Sequence, residues 1–281
     1  MREIKSQEIT DRVARKLIEI NLELSTPLCI SLEESLNGEE SSRGRELISQ
    51  LLENARIARE ERIPICQDTG MVVAFARIGE GVRISGNGLE QAINRGVAQG
   101  YKEGNLRKSM VLDPIFERKN SGDNTPAIVH TEVVPGEELT VGIAAKGGGS
   151  ENMSQLKMLK PADGPGGIID FVCRVVEEAG PNPCPPLIIG LGVGGSMEKA
   201  AVLAKKALFL PLDYKHPHSR LESFSRDILA QVNKTGVGPL GLGGRTTALK
   251  VNLLTHPCHI ASLPVAVNLN CHAARHGHIE F

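Results

Sequence analysis

Apolar residues recur at helical intervals near the start of the chain. One stripe predicts an amphipathic helix that Pro27 helps to end, and it consists of Ile9, Val13, Leu17, Ile20 and Leu24. A second stripe predicts a helix that is capped by Ser41 or Ser42 and ends near Arg62, and it consists of Leu47, Leu51, Ala55 and Ala58. Each helix is expected to bury one face against the rest of the fold.

The rest of the chain alternates between short apolar runs and longer amphipathic stretches, which are typical of strands and helices respectively. Strands are predicted at 71–78, 127–134, 138–149, 187–193, 248–254 and 262–270. Helices are predicted at 89–101, 168–179, 196–208 and 219–233. The second and third strands are expected to form a hairpin about Pro135 and Gly136. With no repeat and no clear linker, the prediction is one mixed α/β domain over residues 1–281, with helices packed on a mixed sheet.

Composition narrows the function classes. The 281 residues are 41% hydrophobic and 23% charged, with a formal net charge of −1, which disfavours nucleic acid or an anionic membrane as a partner. No apolar run is long enough to span a bilayer, and the N-terminus is charged rather than signal-like, so a cytoplasmic protein is expected. The six cysteines are spread along the chain without a CxxC pair, and we expect thiols or metal ligands.

The run ICQDTG, residues 65–70, combines a thiol, an amide and a carboxylate. Asp, Thr and Gly favour turns, and Pro64 precedes the run, so a loop that presents Cys66, Gln67 and Asp68 is predicted. Loops on a rigid scaffold often carry the chemistry of a protein.

Two further stretches suit anionic ligands. In KGGGSEN, the successive backbone N–H groups of Gly148 and Gly149 could converge on an anion beside Lys146, although the end of a flexible hairpin has the same composition. Arg107, followed by Lys108, could hold a carboxylate through its guanidinium fork, whereas such a pair is more often a solvated surface.

The run GLGVGG, Gly190–Gly195, fits the G-x-G-x-x-G fingerprint between a predicted strand and a predicted helix. An NAD-type oxidoreductase is therefore one hypothesis, with Asp213 as a ribose ligand. A glycine-rich turn without a nucleotide is the alternative. The late position of the run in the chain favours the turn.

The cysteines differ in their settings. Cys66, Cys184 and Cys271 lie where regular backbone is not expected, whereas Cys173 lies inside a predicted helix as a small core residue. Cys258 with its neighbours His256 and His259 could form a zinc site. Spacing alone does not connect Cys66, Cys184 and Cys271.

The combination of motifs is more specific than any one of them. The chain resembles the α subunit of two-subunit class I fumarases and L(+)-tartrate dehydratases, from about the first helix to the C-terminus, through IPICQDTG, GNLRKSMVLDP, KGGGSENMSQLKMLKPADG, GPNPCPPLIIGLGVGGSMEKA and GPLGLGGRTTALKVNLLTHPCHIASLPVAVNLNCHAARH. The resemblance implies an oxygen-sensitive hydro-lyase and a structural role for GLGVGG.

The resemblance also implies a cofactor and a set of site residues. A [4Fe-4S] cluster is expected on Cys66, Cys184 and Cys271, which leaves one iron open as a Lewis acid. The substrate-binding residues are expected to be Gln67, Asp68, Arg107, Gly148 and Gly149. Asp68 is the expected catalytic residue.

The implied reaction is the reversible hydration of a small C4 dicarboxylate, most simply fumarate to L-malate, with L(+)-tartrate dehydration as the alternative. In single-chain relatives a further domain follows the segment that matches CHAARH. A separate β subunit is therefore expected to complete the site, in an α2β2 assembly. The competing non-enzymatic hypothesis is a metal-containing scaffold that only stabilises a partner.

Overall fold

A computed structural model describes all residues, 1–281, and the chain divides into two compact units. The first unit comprises residues 1–24, 55–148 and 275–281, and the second comprises residues 25–54 and 149–274. Both contain helices and sheet strands, which confirms the predicted mixed α/β class. That the chain behaves as one domain stays a prediction. None of the helices has both the length and the apolar character that crossing a membrane requires.

The first unit is built on a four-stranded mixed sheet. Its elements are β1 (Arg2–Lys5), α1 (Ser6–Leu22), β2 (Met71–Gly79), β3 (Val82–Ser85), α4 (Leu89–Glu103), β4 (Ile128–Val134), β5 (Leu139–Lys146) and β10 (His276–Glu280). The strand order is β10-β5-β2-β4, and β1 pairs with β3 in a separate parallel ribbon. One largely aliphatic core joins α1 and α4 to β2 and β5.

Two glycines explain how α4 packs so closely on α1. A Cβ at Gly96 would lie 2.7 Å from the carbonyl oxygen of Thr10, and one at Gly100 would lie 3.0 Å from that of Ala14. Glycine is unfavourable inside a helix. Here the missing side chains let the two backbones approach.

The predicted hairpin of β4 and β5 is wrong, although both strands exist. Each pairs with β2 instead, β4 in parallel and β5 antiparallel. Strand β2 therefore lies between them, and the turn about Pro135 passes over the end of β2, where Gly79 N–H donates to the Glu138 carbonyl at 2.8 Å.

The second unit has helices on both faces of another mixed sheet. Its elements are α2 (Thr26–Gly38), β6 (Gln155–Leu159), α6 (Gly164–Ala179), β7 (Leu187–Gly194), α7 (Met197–Ala207), α8 (Ser219–Lys234), β8 (Ala248–His256) and β9 (Leu263–Asn270). Strand order is β6-β9-β7-β8, with β7 parallel to β8 and antiparallel to β9. Alternate side chains of β7 point to the same face of the sheet. Leu187, Ile189 and Leu191 lie on one face, where they share a core with α6 and α8.

Two helices remain. Helix α3 (Ser42–Glu61) follows the predicted stripe, and α5 (Gly148–Asn152) is one turn directly after β5. Pro27 lies in the first turn of α2, where its missing N–H costs no hydrogen bond, so it begins a helix that the apolar pattern did not predict.

Candidate active site

The segment ICQDTG is a loop in the first unit, as predicted. It joins α3 to β2, and the backbone N–H of Ile65 donates to the carbonyl of Asn21 at 2.9 Å, which anchors its start on α1. Cys66 is half-buried, and its Sγ lies 3.4 Å from Oε1 of Gln67. The thiol and the amide therefore share one side of the loop.

Asp68 is held on both of its carboxylate oxygens by backbone donors. Gly70 N–H donates to Oδ1 at 3.0 Å, and Gly148 N–H donates to Oδ2 at 2.7 Å. The carbonyl of Asp68 accepts from Nη1 of Arg275, whose side chain is buried. The structure thus brings Asp68 together with Gly148, two of the predicted site residues.

Arg107 lies on the neighbouring loop, with an exposed side chain. Its carbonyl accepts from the Thr69 hydroxyl at 2.9 Å, which ties this loop to the one that carries Asp68. Two positions further on, Ser109 N–H donates to Oδ1 of Asn124 at 2.7 Å. Asp68 and Arg107 are therefore parts of one hydrogen-bonded assembly within the first unit.

Two of the three candidate cysteine ligands lie at one end of the sheet of the second unit. Ile188 on β7 stands opposite Asn270 on β9, and Cys184 precedes β7 while Cys271 directly follows β9. Antiparallel pairing therefore places both loops at the same end.

A hydrogen-bond contact joins the two cysteine loops. The backbone N–H of His272 donates to the Cys184 carbonyl at 3.4 Å, and Nδ1 of the His272 ring lies 2.9 Å from the same oxygen. Cys184 has φ +56°, in the left-handed region that non-glycine residues rarely occupy. Such local strain is often found at functional sites.

Gly149 is the first residue of α5 that belongs to the second unit. A Cβ there would lie 2.8 Å from the carbonyl oxygen of Asn182, so the turn fits only without a side chain. Glu151, two positions on, accepts from Nζ of Lys205 on α7. Burial lowers the pKa of Lys205, and the Glu151 carboxylate opposes that shift. This ion pair fixes α5 on α7.

The glycines of GLGVGG serve close packing. A Cβ at Gly190 or Gly192 would lie 2.1 Å from a carbonyl oxygen of α7, and one at Gly194 would lie 1.9 Å from that of His256. The close contacts of β7 with α7 and β8 therefore explain why glycines occupy these positions.

None of the six cysteines forms a disulfide, and neither unit contains three or more His, Cys, Asp or Glu side chains grouped as ligands of a metal ion. In the suggested zinc motif the groups make separate local contacts. Cys258 Sγ donates to the Ser262 carbonyl at 3.3 Å, and Nδ1 of His259 accepts from Ala261 N–H at 3.2 Å.

Sequence reasoning missed three buried partners of the Asp68 loop, namely Tyr101, Asn124 and Arg275. Arg275 lies in the CHAARH run, so the motif contained it without indicating its role. Tyr101 is one of only two tyrosines in the chain, and nothing in the sequence of α4 distinguished it.

Comparison with known proteins now adds to this geometry. A family model described as fumarate hydratase (Fumerase) matches residues 10–280. The chain belongs to the fumarate hydratase family. This membership confirms the resemblance seen in the motifs and the predicted class of enzyme, a hydro-lyase.

Individual proteins that are similar to this chain are named as subunits of L(+)-tartrate dehydratase. The chain is 36% identical over 272 residues to a Methanocaldococcus jannaschii protein provisionally named L(+)-tartrate dehydratase subunit alpha, and the match covers 95% of each chain. It is 28% identical to the L(+)-tartrate dehydratase subunit alpha of Escherichia coli strain UTI89, over 96% of this chain and 89% of that one. The Escherichia coli K12 protein of the same name is 27% identical.

Proposed function

We propose that this chain is the catalytic α subunit of a cytoplasmic hydro-lyase that reversibly hydrates a C4 dicarboxylate, fumarate to L-malate. The observation that carries the proposal is the loop around Asp68, in a chain of this family: two backbone donors hold the Asp68 carboxylate, and Cys66 lies two positions earlier in the same loop. Such a reaction needs anion sites, an electrophile and proton transfer at adjacent carbons.

Cys66, Cys184 and Cys271 are the proposed ligands of a [4Fe-4S] cluster. The donor set fits this group, because thiolates are the usual cluster ligands and no disulfide occupies the three thiols. The shared end of the sheet that carries Cys184 and Cys271 supports the assignment. When bound, a cluster with only three protein ligands supplies a Lewis acid for a substrate oxygen.

Asp68 is proposed to hold or transfer a proton at the substrate hydroxyl. A carboxylate offers about four acceptor positions, and the Gly70 and Gly148 N–H groups use two of them. The remaining lone pairs are available to a substrate. Because Gly148 N–H is engaged by Asp68, we assign Gly148 a role in orienting Asp68 and propose the backbone of Gly149 as the direct contact.

Arg107 and Gln67 are proposed to bind the substrate. Both side chains are exposed on loops that are tied to each other through Thr69. The Arg107 guanidinium can pair with a carboxylate through two parallel hydrogen bonds. The Gln67 amide can donate to one substrate oxygen and accept from another.

A separate β subunit is proposed to complete the site in an α2β2 enzyme. The names of the relatives support a partner, since each is called subunit alpha. Nothing in the charge of the chain favours nucleic acid as a further partner, because its formal net charge is −1.

The test is anaerobic reconstitution of the co-expressed α and β chains with iron and sulfide, followed by assays with fumarate and L-malate. We expect turnover together with a broad brown absorption, and both should be lost in C66S, C184S and C271S. C29S is the matched control, since Cys29 lies on α2 and is not one of the proposed ligands. Full cluster loading in the triple serine variant would overturn the ligand assignment, and lack of turnover with every dicarboxylate would overturn the function.

Dehydration of L(+)-tartrate is the second candidate, because the relatives described above carry that name. The same preparation can be assayed with both tartrates. A kcat/KM for L(+)-tartrate above that for L-malate would select tartrate dehydration.

A further inference from the structure

We infer that Tyr101 is a positioning residue of the proposed active site: its buried hydroxyl holds the backbone that follows Asp68 and so directs the Asp68 carboxylate. The inference rests on the proposed function, because it names a residue that acts through Asp68. Every group involved lies in the first unit.

The backbone after Asp68 needs donors from elsewhere. Residues 66–70 form no helix or strand, so the Thr69 and Gly70 carbonyls receive no hydrogen bond from regular secondary structure. Both residues are also buried, so bulk water does not supply a donor. Buried carbonyls without a partner are costly. The Tyr101 hydroxyl lies 2.6 Å from the Thr69 carbonyl oxygen and 2.8 Å from that of Gly70.

Tyr101 is suited to act only as a donor. Its side chain is fully buried on α4, and burial raises the pKa of its hydroxyl well above the usual value, so the proton is retained. One hydroxyl has one proton for the two carbonyls. Nδ2 of Asn124 supplies a second donor to the Gly70 carbonyl at 3.2 Å.

Gly70 transmits this contact to Asp68. Its carbonyl is held by Tyr101, and its N–H donates to Oδ1 of Asp68. The residue has φ +79°, and a Cβ there would lie 2.8 Å from backbone atoms of Ala145 and Lys146. The backbone of Gly70 is therefore packed closely against β5. A rotation of this backbone would turn the Gly70 N–H away from Oδ1 of Asp68.

The same network sets Asp68 relative to Arg107. The Thr69 hydroxyl holds the Arg107 carbonyl, and Asn124 joins Gly70 to the backbone of Ser109. Loss of the Tyr101 hydroxyl should therefore loosen both loops while α4 and its core stay in place.

The substitution Tyr101→Phe removes only the hydroxyl. The matched control is Tyr214→Phe, at the other of the two tyrosines, whose ring packs edge-on against His216 at 6.3 Å in the second unit. The first measurement is hydrogen exchange of the full-length chain, which needs no cofactor. We expect exchange over residues 65–71 and 105–110 to be about fivefold faster in Y101F, as the loss of one hydrogen bond predicts, and unchanged in Y214F.

The second measurement is kcat of the reconstituted α and β chains. A misdirected catalytic group costs on the order of tenfold or more in rate, and we expect this loss in Y101F at unchanged iron content. In an Asp68→Asn background, Y101F should cause no further loss, because the hydroxyl acts through the carboxylate. A merely structural tyrosine would lower the rate by the same factor in both backgrounds.

The inference is overturned if Y101F exchanges and turns over like Y214F, or if its effect on rate is independent of Asp68. Should Y101F not fold, Thr69→Val loosens the same segment from its other side, and the same two readouts decide. If the wild-type pair turns over no dicarboxylate, the proposed function fails, whereas hydrogen exchange still tests whether Tyr101 holds the loop.

Discussion

The backbone N–H of Gly148 donates to Oδ2 of Asp68 at 2.7 Å, although the two residues lie 80 positions apart in the chain. With Gly70 N–H on Oδ1, both carboxylate oxygens face donors. A carboxylate accepts at both oxygens, whereas an amide accepts at one end and donates at the other. The two N–H donors are therefore matched by the two oxygens of a carboxyl group, whereas an amide would turn an NH₂ group toward one of them.

Asp68→Asn should lower kcat by about 10²–10⁴, because the variant loses proton transfer and turns an NH₂ group toward an N–H donor. Iron content should stay at the wild-type level. The measurement is the anaerobic assay with iron determined on the same sample. Asp170→Asn is the control, at an exposed position on α6. A D68N enzyme that keeps wild-type kcat would contradict the role of Asp68.

Gly149→Ala should destabilise the second unit by about 1–3 kcal/mol, because the new methyl group meets backbone rather than a movable side chain. Its Cβ would lie 2.8 Å from the Asn182 carbonyl oxygen. Gly166→Ala is the matched control, since no atom lies within 4 Å of a Cβ there. Urea unfolding of the two variants measures the difference. Equal stability would show that α5 has room to move.

Glu39 links α2 to the loop before β8. Its buried carboxylate accepts backbone N–H groups of Ser41 at 3.0 Å, Arg245 at 2.9 Å and Thr246 at 2.8 Å. Burial alone raises the pKa of Glu39, but these donors outweigh it, so the pKa lies below the usual 4.5. A depressed pKa contributes stability above pH 4.5, and that contribution is lost as the pH falls through the folded-state value.

Glu39→Gln should therefore cost about 1–3 kcal/mol at neutral pH, with a smaller difference from wild type in acid. Urea unfolding at several pH values gives both numbers. Glu40→Gln is the control, because its ion pair with Arg245 is exposed on the surface. An E39Q effect that is equally large at low pH would contradict an electrostatic origin.

His276, on β10, predicts a second pH dependence. Burial, with a smaller contribution from His278, lowers the pKa of His276 from 6.5 to about 4. Below pH 6.5 the unfolded chain takes up a proton that the folded chain resists. Stability should therefore fall as the pH drops toward 4, with a slope of at most about 1.4 kcal/mol per pH unit. His276→Gln should flatten this slope, whereas His278→Gln, at an exposed position, should retain most of it, because burial is the larger cause of the shift.

Local patterns predicted most of the elements but few of their partners. The helices with strong apolar stripes were predicted close to their observed ends, because one stripe of core contacts fixes both the type and the extent of a helix. Strands β4 and β5 were recognised, yet their common neighbour β2 was not, since pairing depends on distant residues. The short polar strand β10 (HGHIE) gave no alternating signal.

The candidate site divides in the same way. Its loop was predicted from turn chemistry, and the motif resemblance supplied Asp68 and Gly148. The buried residues that hold the loop were not found, because the contacts lie far apart in the chain: Tyr101 reaches Gly70 across 31 positions, and Arg275 reaches Asp68 across 207. Neither side chain differs in sequence pattern from an ordinary core or surface residue.

The contact between His272 and the Cys184 carbonyl has a consequence for substitutions at His272. Replacing His272 by a residue without a ring nitrogen removes the shorter of the two contacts that join the Cys184 carbonyl to the loop after β9. The placement of one proposed ligand residue relative to another therefore depends in part on a side chain that is not itself a proposed ligand.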